Sequence, residues 1–432
     1  MTELLCIPLK QTGEVDLVKP IKSVISSSRS VTTADTNSLT ELQNLRSKMV
    51  AAIKNQLYNE ATLEEAQNYF DQIGHLELKI PFNKTKIYFK WLDAFDRGSW
   101  FGGSIPYTMS TNLLYEKACV LFNIASLSTQ VGAAQDLATE DGMKKAVKMF
   151  QLAAGIFAAV STPPPASPSE QKPTPDLSPE SAAALSSLCL AQAQEVVLQK
   201  AMMDNKKDAI IAKLARHTDI LYTETANLMQ KEIVKSLWDK SWFSIVTGKQ
   251  AMYSGLVQFH QARVCKAEKT IGQEIARLQL AREHLIKSEP LLVQGGHGGA
   301  QKWVDLCDTA LQEAKKDNEF IYFEKIPSVE ELAPVEGAAV VKPSPLPDKF
   351  LAGQASLFGD LAALDSTARK AECVGENSIL AMVTPYWLGG RSCQPITCQH
   401  QMLGRTPLSL HVNNSQLYPT LVHPQYSDYL KY

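Results

Sequence analysis

The fold of this chain turns on LSSLCLAQAQEVVLQKAMMDNKKDAIIAKLARHTDILY, residues 185–222, which reads as two helices. On a helical wheel Ile210, Leu214 and Leu221 form one stripe, with Ile211, Ala215 and Tyr222 in a second beside it. Together they span about 140°, against the ~100° that a core-facing helix needs. A stripe that wide means burial on two sides or a surface kept free for a partner.

The helical pattern extends outward from there over 112–316. YEKACVLFNIASLSTQVG (115–132) and DGMKKAVKMFQLAAGIFAAV (141–160) make one helix pair, and AMYSGLVQFHQARVCKAEKTIGQEIARLQLAREHLIK (251–287) makes another. Small residues at the crossings and short breaks between partners are much like tetratricopeptide units. Val147, Phe150 and Ala153 recur 128 residues later as Ile275, Leu278 and Ala281, with Ile211 and Leu214 half-way. That register predicts stacked helix pairs rather than a closed bundle. The stretch 161–180, STPPPASPSEQKPTPDLSPE, holds seven prolines and reads as an exposed extended loop. Ser178-Pro179 then restarts a helix, serine as cap and proline in the first turn.

The N-terminal hundred residues carry the only β signal. LLCIPL (4–9) reads as a strand, followed by a helix from about Leu17 and helical periodicity over 37–73, with Ser38 as cap and Glu41 three residues on. LELKIPF (76–82) and KIYFKWLDAF (86–95) alternate as a hairpin turning near Asn83. Toward the other end, GGHGG (295–299) reads as a flexible turn whose histidine is a spacer. VVKPSPLPDKF (340–350) reads as a linker or a strap along the surface. Residues 375–432 carry five charged side chains and no sustained period, as a poorly ordered or replaced ending would.

Composition narrows the function. The chain has 432 residues, 45% hydrophobic and 20% charged, enough for a substantial core. A net charge of −2 supplies no overall basic excess for nucleic acid. Eight cysteines with no CxxC pair fit a reducing cytosol. Cys393, Cys398 and His400 have poor zinc spacing. The sequence shows no signal peptide, myristoylation glycine or prenylation box, and no apolar run near the ~20 residues of a membrane span. Any membrane contact is therefore expected to be peripheral.

No catalytic constellation is present. Gly248-Lys249-Gln250 lacks the spacing and the Ser/Thr of a phosphate loop, and the carboxylates read as solvated helix faces. Three features stand above this background. In DRGSWFGGS (96–104), Trp100 and Phe101 sit on a glycine-flanked turn, either plugging a helix layer or pointing out to lipid or protein. In EDGMKKAVK (140–148), Glu140, Lys144 and Lys148 form either a solvated face or the polar rim of an apolar groove. In DNEFIYFEKIP (317–327), Tyr322 is either accessible to phosphorylation or packed on the last helix.

EVDLVKP, NYFDQI, WLDAFDRGSWFGGS, LAQAQEV, KDAIIAKLA, EIARLQLA and AKKDNEFIY, in this order, closely resemble the Bro domain of the ALIX (programmed cell death 6-interacting protein) family. The resemblance implies a mainly α, boomerang-shaped fold with a tetratricopeptide-like solenoid core and a small N-terminal sheet. It implies a Bro domain over 1–355, the opening helix of the family's V-shaped second domain over 356–385, and a divergent tail over 386–432. The implied function is a non-enzymatic, cofactor-free adaptor, cytoplasmic and peripheral to endosomes, with neither nucleic acid nor a small-molecule substrate as ligand. Its partner would be the C-terminal amphipathic helix of an ESCRT-III subunit of the charged multivesicular body protein 4 (Snf7) type.

Carried over residue by residue, the patch for that helix is Val197, Ile210 and Leu214, with Lys144, Lys148 and Glu140 alongside. Val197 stands where mammalian members have phenylalanine, which implies a shallower pocket. Ile211, Ala215 and Tyr222 then go to packing and Ile210 and Leu214 to an exposed groove. Trp100 and Phe101 match the family's lipid-inserting loop, and Tyr322 its phosphorylated tyrosine. The resemblance stops before most of the V-shaped domain and the proline-rich tail, which are therefore expected to be absent, although Tyr418-Pro419-Thr420-Leu421 matches the YPxL motif which that domain binds. A chain competing with the full-length adaptor, or a lone Bro domain binding a different client helix, is the alternative.

Overall fold

The computed structural model describes residues 3–96, 108–160 and 174–364. Trp100, Phe101, most of the proline-rich stretch, the 393–400 cysteine–histidine cluster and the YPTL string lie outside the described residues. So does the span 365–385 of the expected second-domain helix; over 356–364, which is described, the chain forms turns and not a helix.

Ten helices and one small sheet make up the described chain. In order they are α1 (Val18–Ser26), α2 (Thr33–Lys54), α3 (Glu60–Glu77), β1 (Phe89–Trp91), β2 (Thr108–Ser110), α4 (Leu113–Ala133), α5 (Glu140–Val160), α6 (Pro179–Met203), α7 (Asp208–Met229), α8 (Lys240–Ala267), α9 (Ile271–Gln294) and α10 (Gln301–Asp317). From α4 onward each helix packs chiefly on its chain neighbours. This is the stacked series that the internal register predicts. Ser178 caps α6 by accepting the Ser181 N–H, with Pro179 in the first turn.

Three local expectations are corrected. Helix α2 begins five residues before the proposed cap, because Thr32 and Asp35 form a reciprocal capping box and Ser38 lies within the helix. The hairpin is not 76–82 with 86–95. Residues 76–77 close α3, and β1 pairs antiparallel with β2, Phe89 opposite Ser110 and Trp91 opposite Thr108. Short apolar runs read alike as strand or buried helix end, and tertiary packing decided this one. The LLCIPL stretch is extended but has no partner strand among the described residues. Its backbone is matched by helix side chains instead: Leu5 N–H and C=O by the Gln192 carboxamide, Lys10 N–H and C=O by that of Asn123, and Ile7 N–H by Thr129 Oγ1.

A second extended segment crosses the helices near the C-terminal end of the described chain. Arg277 in α9 donates to Ala333 O, the Lys213 carbonyl in α7 accepts Ala338 N–H, and Gln194 in α6 takes Ala338 O and Val340 N–H. Gln151 in α5 takes Lys342 N–H on its side chain and Ser344 N–H on its carbonyl. Asp71 in α3 then accepts Phe350 and Leu351 N–H, and Leu364 N–H reaches Lys79 O. Residues 340–350 are therefore a strap, and the packed chain runs on to Leu364. Gln192 and Gln194 are two residues apart, about 200° around the helix. The N-terminal arm and the strap thus cover opposite sides of α6. That explains a helix buried almost all round, and the only described one long and apolar enough to cross a membrane.

The strap approaches α5 so closely that a Cβ on Gly155 would lie 1.9 Å from Ser344 O. Backbone cannot yield as a flexible side-chain tip would. Gly155→Ala is expected to lift the strap from α5, seen as faster amide exchange at Val340 and Lys342 and new proteolytic cleavage within 332–350.

Several carboxylates expected on solvated faces are in fact buried with partners. Glu116 accepts from Arg46 Nε (2.9 Å), Tyr69 Oη (3.0 Å) and Trp91 Nε1 (2.6 Å), joining α2, α3 and β1 to α4. Asp176 accepts from the buried Lys10 ammonium and from Ala94 N–H, so within the proline-rich stretch Thr174, Asp176 and Leu177 are buried although Pro175 between them is exposed. The arm brings Lys10 into the core, and the buried cation needs that counter-charge. His297 is no mere spacer, since its Nε2 lies 3.1 Å from the Glu3 carbonyl. The five described cysteines are free thiols, four of them buried.

Candidate functional site

The residues singled out by the sequence gather on three consecutive helices. Glu140, Lys144 and Lys148 lie on α5, Val197 on α6, and Ile210 and Leu214 on α7. The turn 204–207 between α6 and α7 is short, so the two helices run antiparallel. α5 and α6 are antiparallel too, since Glu140 at the start of α5 reaches Lys200 near the end of α6. Tyr322 lies elsewhere, in a π-turn over Asn318–Tyr322 after α10.

Exposure divides the wide stripe differently from the sequence reading. Ile211, Ala215 and Tyr222 are buried, as assigned. Leu214, expected in an exposed groove, is only 4% exposed and belongs to the main core. One turn of helix carries the stripe inward, so Leu214 is at most the floor of the patch. Val197 and Ile210 are half-buried and rest on that core, and they form the accessible apolar surface. Beneath α5 and α6, Met143, Ala146 and Val196 make a separate small apolar cluster, with Val147 against it.

The rim is charged. Lys144 pairs with Glu140 at 3.2 Å, and Lys200 approaches the same carboxylate at 3.9 Å. Lys148 is exposed and has no ion pair among the described residues. These surface pairs set register and charge rather than stability. At the start of α7 the Asp208 carboxylate lies 2.8 Å from His260 Nδ1 and 3.0 Å from Arg263 Nε. The His260 hydrogen bond, helped by Arg263, holds Asp208 below the ordinary carboxylate value of 3.8. A carboxyl depressed in the folded state contributes stability that is complete above that value and lost as pH falls below it. Asp208→Asn is expected to lower the thermal midpoint at neutral pH and to flatten its fall below about pH 4, followed by circular dichroism.

The site is held from behind by a cluster that the sequence reading missed. Lys249, read only as a failed phosphate loop, is fully buried and donates to Glu195 at 3.0 and 3.1 Å and to the Glu3 carbonyl at 2.8 Å. Tyr222 donates to the same Glu195 carboxylate and stacks on Tyr253, ring centroids 5.6 Å apart. Burial, with Glu195 beside it, pushes the Tyr222 phenol well above its usual range, so it stays a donor. This cluster fixes α6, α7 and α8 relative to one another on the side facing away from the rim lysines. Glu195 and Lys249 are 54 residues apart, and no local pattern marks them as partners. Gln151, Gln194 and the strap they hold were likewise invisible as a unit. Among the described residues the arrangement at the patch is an apolar surface with a charged, mainly basic rim.

A profile of the BRO1-like domain family matches residues 4–374. The apoptosis-linked gene 2-interacting protein X 1 of Caenorhabditis elegans is 36% identical over 390 residues, 87% of this chain and 43% of that protein. The programmed cell death 6-interacting protein of Homo sapiens is 37% identical over 352 residues, 80% of this chain and 40% of that protein. The chain thus spans about two fifths of the length of these relatives. Among solved structures, the ALIX BRO1 domain in complex with CHMP4C superposes with a TM-score of 0.75 at 34% identity, covering 83% of this chain and 99% of that one.

Proposed function

The chain belongs to the BRO1-like domain family, and from that premise we propose that it is a non-enzymatic ESCRT-pathway adaptor whose α5–α7 face takes the C-terminal amphipathic helix of an ESCRT-III subunit of the CHMP4 type. The observation that carries this is the pair Val197 and Ile210. They are half-buried apolar side chains on adjacent helices, beside a basic rim of Lys144 and Lys148. A partner helix that covers them completes a contact which the fold leaves half made. The ALIX BRO1 domain that the chain matches was solved with CHMP4C, and the same role here implies work in multivesicular body sorting at the cytoplasmic face of endosomes.

The test is titration of a labelled CHMP4C C-terminal helix peptide with the purified chain, read by fluorescence anisotropy. Saturable binding that a scrambled peptide does not reproduce is expected. Binding equal for the two peptides overturns the proposal.

Two further residue assignments belong to the same reading. Trp100 and Phe101 contact the endosomal membrane, and Tyr322, whose side chain is accessible, is a phosphorylation site. Replacing both aromatics by serine is expected to reduce liposome flotation several-fold. Flotation unchanged by the double substitution removes the membrane assignment.

A further inference from the structure

The three helices that carry the site also carry the strap. On α5 the strap is held by Gln151, on α6 by Gln194 and on α7 by the Lys213 carbonyl, which accepts Ala338 N–H at 2.9 Å. Each anchor is three residues, or about 4.5 Å of helix rise, from a residue of the site. Lys148 precedes Gln151, Val197 follows Gln194, and Ile210 precedes Lys213. Because α6 runs against its neighbours, all three offsets point the same way. The site is therefore a row lying one helical turn to one side of the strap. A helix is about 10 Å across, so one seated on Val197 and Ile210 meets the strap's near edge.

A row of cations follows that edge. Lys148 lies one turn from Gln151, Lys342 gives its N–H to Gln151 Oε1, and Lys213 holds Ala338. None of the three has an ion pair among the described residues, whereas Lys144 and Lys200 share Glu140 across the far rim. The strap itself is pinned at 338, 340, 342 and 344 by backbone hydrogen bonds, and Ala339, between two anchors, is exposed. A fixed edge with unpaired cations favours complementary charge and rejects like charge.

We propose that residues 338–342 of the strap form the closing wall of the partner site, and that Lys148, Lys213 and Lys342 along it select an amphipathic helix with carboxylates on its strap-facing edge. This rests on the partner-helix reading above. The strap, which closes the fold, thereby also sets which helix fits.

The test uses two designed peptides of one length, each an amphipathic helix with a leucine face. One carries glutamate along one edge and the other carries glutamine there. Both are titrated against the wild-type chain, Ile210→Asp, Lys342→Glu, the Lys213→Glu/Lys342→Glu double variant and Ala339→Trp, with folding checked by circular dichroism. The wild type is expected to prefer the glutamate peptide about tenfold at low salt, and less at high salt as the charges are screened. The double variant is expected to lose that preference and Lys342→Glu to lose part of it, which guards against any disturbance of α7 by Lys213→Glu. Ala339→Trp is expected to weaken both peptides. If Lys342→Glu and the double variant keep the full preference, or if Ala339→Trp binds as the wild type does, the strap is not the wall. Should Ile210→Asp still abolish binding in that case, the partner-helix reading stands and only this inference fails. If Ile210→Asp binds as the wild type does, the partner-helix reading falls, and the strap proposal falls with it.

Discussion

An Ile210→Asp chain is expected to remain folded and to lose at least about a hundredfold in affinity for the CHMP4C C-terminal helix, or about 2.7 kcal/mol. Ile210 is half-buried, so in the free protein the new carboxylate can turn toward water at small cost. In the complex it would be covered by an apolar helix face with no counter-charge designed for it, and that burial costs several kcal/mol. Leu214→Asp is the informative contrast. Leu214 is 4% exposed and packs in the main core, so the same charge there has no exit and should unfold the chain or lower its stability severely. Anisotropy titrations and urea melts on both variants separate the two effects. Binding by a folded Ile210→Asp chain within threefold of wild type would mean that the partner docks elsewhere.

Glu195→Ala is expected to cost about 3–5 kcal/mol of folding stability, the penalty for stranding one member of a buried ion pair. The carboxylate it removes is the shared acceptor for the Lys249 ammonium and the Tyr222 hydroxyl, and all three groups are shut off from solvent. Lys249 would keep the Glu3 carbonyl and the face of the Tyr222 ring, 5.7 Å from its ammonium, neither of which supplies the counter-charge a buried cation needs. Glu195→Gln retains an acceptor and should fall between the two. The double variant Glu195→Gln/Lys249→Met, in which no charge is left behind, should recover much of the loss. The urea midpoint should move in this order with little change in slope. A Glu195→Ala midpoint equal to wild type would mean that the cluster contributes nothing to holding α6, α7 and α8 together. The prediction has a functional arm, since the cluster lies behind Val197 and Leu214. Any looseness it introduces should also weaken peptide binding.

Much of the fold is legible in the sequence because helices report themselves locally. Apolar spacing marked the run from 112 to 316, and Ser178-Pro179 announced the start of α6 in two residues. Where neighbouring segments compete for a role, local pattern misleads. The run LELKIPF alternates well enough for a strand, yet its first two residues finish α3, and β1 takes its partner from 108–110 instead. Ser38 has a capping sequence, but Thr32 and Asp35 close the box a turn and a half earlier. The carboxylates of Glu116, Asp176 and Glu195 look no different in sequence from those on solvated faces. Their burial depends on Arg46, Lys10 and Lys249, which are 70, 166 and 54 residues away.

The stretch 185–222 shows where the division falls. By itself it determined that two helices exist and that their apolar surface exceeds what one core face can use, because side-chain spacing along a helix is a property of the local chain. What that surplus is for was decided only by tertiary structure. On α6 most of it is consumed from both sides, with Gln192 holding the N-terminal arm and Gln194 the strap, and Val197 is left half-buried. On α7 the inward stripe takes Leu214 along with Ile211, Ala215 and Tyr222, and Ile210 is left at the surface. Burial is set by which distant segments come to lie against a helix, and no periodicity within the helix records that.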